Sequence, residues 1–210
     1  MAQGSKEAWQ KLYEKHGLLY GGSGDIHPLE PYLRREMLAL DAGCGDGKTT
    51  ELMARRCEVI GSDFSREALR SLRSQRPGLA DVNLVECELK SLPFDSEKFD
   101  AISCVHAISH MLRQERTVAA EELTRVLRPG GLILVEGFGT GDLRCGEGSA
   151  LEQRTYLRGN GIVTHFFQEG EIRKIFRELE PVSENRSERR MSLGARSGKR
   201  ETIRAVLKKA

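Results

Sequence analysis

Residues 38–49 read Leu38-Ala39-Leu40-Asp41-Ala42-Gly43-Cys44-Gly45-Asp46-Gly47-Lys48-Thr49, and the fold turns on how they are interpreted. An apolar run starting at Met37 ends on an acid, and glycines follow at 43, 45 and 47. Glycine permits a sharp strand-to-helix turn in which no Cβ keeps a ligand away from the backbone. The helical pattern behind the turn places Leu52 and Met53 inward and ends on Arg55 and Arg56. Strand, glycine turn and helix is the unit of open α/β sheets, whose ligands lie at the carboxyl ends of the strands.

Three ligand classes compete for this turn. A dinucleotide turn reads G-x-G-x-x-G, but here the third glycine comes one residue early and Lys48 follows it. A phosphate-cradling loop ends in G-K-[ST], as Gly47-Lys48-Thr49 does, yet its first glycine would fall on Ala42. The third pattern is D-x-G-x-G-x-G. Asp63 separates them: it closes the short strand Val59-Ile60-Gly61-Ser62, 22 residues after Asp41, where an acid can accept both ribose hydroxyls of an adenosine. A phosphate loop ignores the ribose and wants an Asp after a hydrophobic strand to position magnesium. The strand at 99–105 ends in Ser103-Cys104-Val105-His106 instead, although the next one ends in Glu136. A P-loop-like nucleotide-binding protein stays as the remote alternative.

Working outward, the alternation continues. Ser65 is an N-cap for a helix holding Ala68, Leu69 and Leu72; Val82–Val85 and Phe99–Val105 are strands, the second apolar enough to be covered on both faces. A helix over 115–127 stops at Arg128-Pro129-Gly130-Gly131, and Leu132–Phe138 is the fifth strand. Residues 139–161, glycine-rich and without strong period, read as a long loop or insertion. A helix at about 168–179 leads into a closing hairpin around Gly194-Ala195-Arg196-Ser197-Gly198, with its last strand over Thr202–Leu207. Upstream, Trp9, Leu12, Tyr13 and His16 recur at helical spacing over 6–20 until Gly21-Gly22-Ser23-Gly24 breaks the pattern.

The expected fold is therefore α/β: a Rossmann-like, seven-stranded, mostly parallel sheet with helices on both faces and a C-terminal antiparallel hairpin. One domain is expected over 1–210. Within it, 1–31 form a lid or cap, 37–138 the cofactor-binding core, 139–167 the loop or insertion, and 168–210 the last helix and hairpin.

The composition excludes several classes. The 210 residues are 39% hydrophobic and 30% charged, ordinary for a globular enzyme and too apolar for a disordered chain. No apolar run approaches the roughly 20 residues that cross a bilayer, and no secretory leader is visible, so the expectation is a cytoplasmic protein with no membrane partner. Five cysteines (44, 57, 87, 104, 145) without a C-x-x-C pair argue against a zinc site and a disulfide framework. Net charge is +2, but residues 183–210 hold nine basic and three acidic side chains, a local +6 that can face an anionic partner.

Four segments together resemble the class I S-adenosylmethionine-dependent methyltransferases, in the subgroup with a methyltransferase 11-type domain. They are Leu40–Gly47, Ile60-Gly61-Ser62-Asp63-Phe64-Ser65, Leu92-Pro93-Phe94 followed by Phe99-Asp100-Ala101-Ile102, and Leu127-Arg128-Pro129-Gly130-Gly131-Leu132. The resemblance implies S-adenosylmethionine as cofactor and S-adenosylhomocysteine as product. It places Gly43, Gly45 and Gly47 against the methionine part, with Asp41 orienting the loop, Asp63 on the ribose and Phe64 against the adenine. Glu88, with Leu89 beside it, stands where the family has an Asp for the adenine amino group; Cys104 and Val105 fall where the family's backbone meets the cofactor. Tyr13 and Tyr20, with Trp9, are expected as lid residues.

The acceptor is less legible. His106 and His110, four apart after the fourth strand, and His165 are the candidate catalytic bases; no metal site is expected. The Asp/Asn-Pro-Pro-Tyr and Pro-Cys motifs of related enzymes are absent. A small-molecule acceptor is the preferred reading, and the alternative is an RNA of the tRNA wobble-uridine type, motivated by Arg186, Arg189, Arg190, Lys199 and Arg200. The sequence is silent on oligomeric state.

Overall fold

The computed structural model describes residues 3–17, 19, 25–193 and 196–210. Tyr20 lies outside the described residues. The chain opens with α1 (Gln3–His16), then alternates β1 (Leu38–Ala42), α2 (Lys48–Ala54), β2 (Glu58–Asp63), α3 (Arg66–Gln75), β3 (Asn83–Glu86), β4 (Phe99–Val105), α4 (Arg113–Val126) and β5 (Leu127–Gly139). Then come β6 (Ser149–Glu152), β7 (Thr155–Leu157), β8 (Val163–Phe167), the short α5 (Glu171–Ile175), and the long hairpin β9 (Leu179–Leu193) and β10 (Arg196–Lys209).

The seven expected strands run in the order β3-β2-β1-β4-β5-β10-β9. Pairings from β3 to β5 are parallel; β10 runs antiparallel to β5 and to β9. Local chemistry explains the main elements. Residues Phe99 to Cys104 of β4 are all buried, as a central parallel strand between two helical layers requires. The Ser65 hydroxyl caps α3 by accepting from the Ala68 N–H at 3.2 Å. Helix α4 buries Ala119, Ala120, Leu123 and Val126 on one face and starts where Glu115 accepts from the Leu112 N–H at 3.1 Å. The main core joins these to Leu40, Ile102, Ile133 and Phe176.

One expectation is narrowed and one corrected. Residues 139–167, expected as a loop or insertion, fold as an insertion: β6, β7 and β8 form an antiparallel meander, and β8 joins the end of β5 through Phe138↔Phe166 and Gly139↔Phe167. Val163-Thr164-His165-Phe166-Phe167 is wholly buried, so the strand is driven by burial, without the period-2 alternation that would have revealed it. The helix expected over 168–179 is only Glu171–Ile175, because Phe176 and Leu179 pack into the core after the chain has left the helix. Among the described residues, no helix is long and apolar enough to cross a membrane.

Candidate cofactor and acceptor site

A cavity of about 600 Å³ opens at the carboxyl ends of β1, β2, β4 and β5, roofed by α1 and walled on one side by the β9–β10 hairpin. Its size falls within the roughly 300–1,000 Å³ typical of small-ligand sites. The glycine turn forms one end. Gly43 and Gly45 take φ of +76° and +52°. A Cβ on Gly43 would stand 2.4 Å from the Ala107 Cβ, and one on Gly45 would stand 2.6 Å from the Tyr13 hydroxyl. The turn is thus pressed against the 107–110 turn that follows β4 on one side and against the roof helix on the other. Gly47 differs: a Cβ there would meet Leu72, so its constraint is packing onto α3, and it does not line the cavity.

Asp63 locks this end. Its carboxylate accepts from the Gly45 N–H at 2.9 Å and the Ser65 N–H at 2.8 Å, which fixes the turn against the end of β2. Asp41 accepts from the Thr50 hydroxyl at 2.6 Å, tying β1 to α2. Burial pushes the Asp63 carboxyl up to about 6 against the pull of its backbone hydrogen bonds. Burial likewise pushes Asp41 up to about 7, with the neighbouring Asp63 charge adding to the rise.

The roof is α1. Lys6 pairs with Glu88, and Trp9 stacks near Tyr13 with ring centroids 6.0 Å apart. Trp9 and Tyr13 form a small buried cluster with Ala68 and Ile162, against which Phe64 packs. Asp41, Asp63, Phe64, Glu88, Leu89, Val105 and Tyr13 all line the cavity. Cys104 does not: it is fully buried in the main core. Its thiol is pushed up to about 12 by burial, so it stays a packed, unreactive SH.

The opposite end carries the histidines. His106 has φ of +61°, unusual for a residue with a Cβ, where β4 turns away. Its Nε2 is 3.2 Å from a Glu136 carboxylate oxygen, and its ring stacks on Phe138 at 4.2 Å. Its Nδ1 is sealed from solvent without a hydrogen-bond partner among the described residues, and since the carboxylate facing Nε2 can only accept, Nε2 carries the proton. Glu136 also pairs with Arg204, which pairs in turn with Asp25. Burial would raise the Glu136 carboxyl, but His106 and Arg204 hold it below its usual range, as a carboxylate.

His110 places Nδ1 2.8 Å from the Val163 carbonyl oxygen. The carbonyl can only accept, so Nδ1 carries the proton and Nε2 the lone pair. Burial pushes this imidazole down to about 4, so it is neutral at pH 7.

His165 is not brought to the cavity. It is 1% exposed, bonded to the Thr155 hydroxyl at 2.8 Å and to Glu171 at 2.9 Å, and holds the meander to the α5 turn. The sequence reading also missed Lys6, Asp25, Phe138 and Arg204, and it named Arg200 only as part of a basic tail; all line the cavity, Arg200 and Arg204 last along the chain. One signal pointed to the last two: Arg200, Thr202 and Arg204 alternate along a strand, so they share one face.

Comparison with known proteins adds to the geometry. A methyltransferase domain matches residues 40–135, the span that carries the glycine turn, Asp63, Val105, His106 and His110 but stops short of Glu136 and Phe138. That span matches the methyltransferase-domain family, and the fold is shared with S-adenosylmethionine-dependent methyltransferases. A S-adenosylmethionine-dependent methyltransferase structure from Methanosarcina mazei superposes with a TM-score of 0.73 at 22% identity, covering 89% of this chain and 99% of that one. A tRNA N(3)-methylcytidine methyltransferase of Drosophila melanogaster is 32% identical over 146 residues, 63% of this chain and 45% of the relative. A demethylmenaquinone methyltransferase of Staphylococcus aureus is 31% identical over 106 residues, 49% of this chain and 43% of the relative. The chain thus spans under half the length of these curated relatives, whose acceptors differ in kind.

Proposed function

We propose that this protein binds S-adenosylmethionine and transfers its methyl group to a small-molecule acceptor. The observation that carries the reading is a single roofed chamber with the Asp63-braced glycine turn at one end and the His106–Glu136 pair and His110 at the other. The cradle fits the cofactor: at Gly43 and Gly45 any side chain would collide with the chamber walls, and Asp63 offers a carboxylate for two hydroxyl donors. Asp63 would hold the ribose, the Gly43–Gly45 backbone the methionine part, and Phe64 and Leu89 the adenine, with Val105 behind. Glu88 is engaged by Lys6, so in this reading it secures the roof rather than the adenine amino group. When bound, the cofactor supplies an electrophilic methyl on a sulfonium cation.

The chain's own contribution is positioning and exclusion of water. Orientation of reactants can lower a barrier by roughly 7–11 kcal/mol, and α1 supplies the roof that keeps the chamber dry. Where the acceptor must lose a proton, His110 offers the Nε2 lone pair. At a pKa of about 4 it is a weak base, suited to a nucleophile that is already acidic. His106 turns its Nε2 to the Glu136 carboxylate, which can only accept, so that nitrogen carries the proton and the ring helps shape the acceptor end instead of taking a proton. The test is a screen with labelled S-adenosylmethionine over metabolite and RNA fractions. Label in the metabolite fraction supports this reading, and label confined to RNA overturns the small-molecule acceptor. RNA keeps a claim through the tRNA-modifying relative.

A further inference from the structure

The β9–β10 hairpin carries the chain's excess positive charge, and its pleat sorts that charge by face. On the outer face, Arg186 pairs with Glu188 and Glu201, and Lys199 pairs with Glu188. On the inner face, Ser187, Arg189, Arg200, Thr202 and Arg204 line the cavity. Arg204 is neutralised by Glu136 and Asp25, and the nearby Arg144 by Asp142. Arg189 and Arg200 are left. They are direct partners across the antiparallel ladder, and no carboxylate lies within 4.0 Å of either among the described residues. Like charges placed opposite each other on one face of a sheet are destabilising.

Arg200 is also half-buried, 3.4 Å from the His106 Nε2 and 5.1 Å from the centre of the Phe138 ring. Its charge therefore lies beside the His106–Glu136 pair. Asp142 and Glu136 act on this guanidinium only from beyond ion-pair distance, and a half-buried cation facing a like charge without a direct ion pair calls for an anion from outside the chain.

We propose that the acceptor end of the chamber binds a carboxylate or phosphate group of a small methyl acceptor, held by Arg200 with Arg189 at the mouth. The proposal rests on the methyltransferase reading and narrows its substrate class. Two features favour a small anion over a polyanion: Arg200, without an ion pair, faces into the chamber, and α1 roofs it, while on the outer face Arg186 and Lys199 are paired with acids and Arg190 stands exposed opposite Lys199.

The shared chemistry has a second source, the cofactor's own carboxylate, and the experiment separates the two. The protein saturated with S-adenosylhomocysteine is titrated with benzoate and phenyl phosphate, and with benzamide and benzylamine as neutral and cationic counterparts of similar size. At least one anion is expected to bind and raise the Tm, while the amide and amine do not. Arg200→Gln should weaken anion binding at least tenfold and leave S-adenosylhomocysteine affinity within about twofold. Lys199→Gln, an equal charge change on the outer face, should preserve both. Equal binding of benzamide, or no binding of any anion to the loaded protein, overturns the proposal. A tenfold loss of S-adenosylhomocysteine affinity in Arg200→Gln does so too, by assigning Arg200 to the cofactor. Unfractionated tRNA that binds at physiological salt and is weakened by Lys199→Gln assigns the charge to RNA and equally overturns it. If wild type fails to bind S-adenosylhomocysteine at all, the methyltransferase reading itself fails.

Discussion

At the scale of single residues, Asp63 bears most of the account. It braces Gly45 and Ser65 through their backbone N–H groups and still lines the cavity. Asp63→Ala should weaken S-adenosylhomocysteine binding by about 1–3 kcal/mol in calorimetry, the cost of losing charge-assisted hydrogen bonds. Because ribose hydroxyls donate to the ionised form and burial lifts the free carboxyl to about 6, affinity should be flat above pH 7. It should then fall by up to about tenfold for each pH unit below 6, as protons compete for the carboxylate. Asp63→Asn should flatten that dependence. Gly43→Ala tests the cradle: it adds a Cβ 2.4 Å from the Ala107 Cβ at a φ of +76°. We expect a loss of about 1–3 kcal/mol of stability and weaker cofactor binding, read by thermal unfolding and calorimetry. Asp63 and the glycines were legible because each answers a local demand, a strand end or a left-handed turn, that sequence spacing records. The expectation at Cys104 concerned its backbone, and the burial of its side chain in the core was not legible because spacing places a residue near a strand end without saying which face its side chain takes.

At the scale of elements, α1 and the meander carry the testable claims. Lys6 of α1 pairs with Glu88 across the roof of the cavity. Lys6→Glu places two carboxylates there, and it should speed cofactor dissociation severalfold in stopped-flow measurements with little change in Tm, since both side chains are partly exposed. Glu171 accepts from His165, from the Gln168 N–H and from Arg154. Burial alone would raise its carboxyl, but these contacts hold it at about 2, below its ordinary 4.5. A depressed carboxyl stabilises the fold above pH 4.5 and loses that contribution as pH falls toward 2. Glu171→Gln should therefore cost about 1–3 kcal/mol at pH 7 and progressively less below pH 4, read by denaturant unfolding. The meander escaped the sequence reading because β8 is buried on both faces and β6 and β7 are only three or four residues long, too short to show a period.

At the scale of the whole molecule, the sheet order follows from strand–helix alternation, which parallel topology and right-handed crossovers reduce to few arrangements. That is why the core over 37–138 could be read from sequence, while the acceptor end could not. Arg200 and Arg204 reach the cavity only because β10 inserts antiparallel beside β5, about 65 residues later in the chain, through pairs such as Arg204↔Glu136. Charge counting registered a basic tail, but only the pairing of β9 with β10 shows which of its cations turn inward. The most direct measurement of the central claim is calorimetric titration of the purified chain with S-adenosylhomocysteine and, separately, with ATP and magnesium. The account predicts saturable one-to-one binding of S-adenosylhomocysteine that Asp63→Ala weakens, and no comparable binding of ATP. Tight ATP binding with no response to S-adenosylhomocysteine would contradict it.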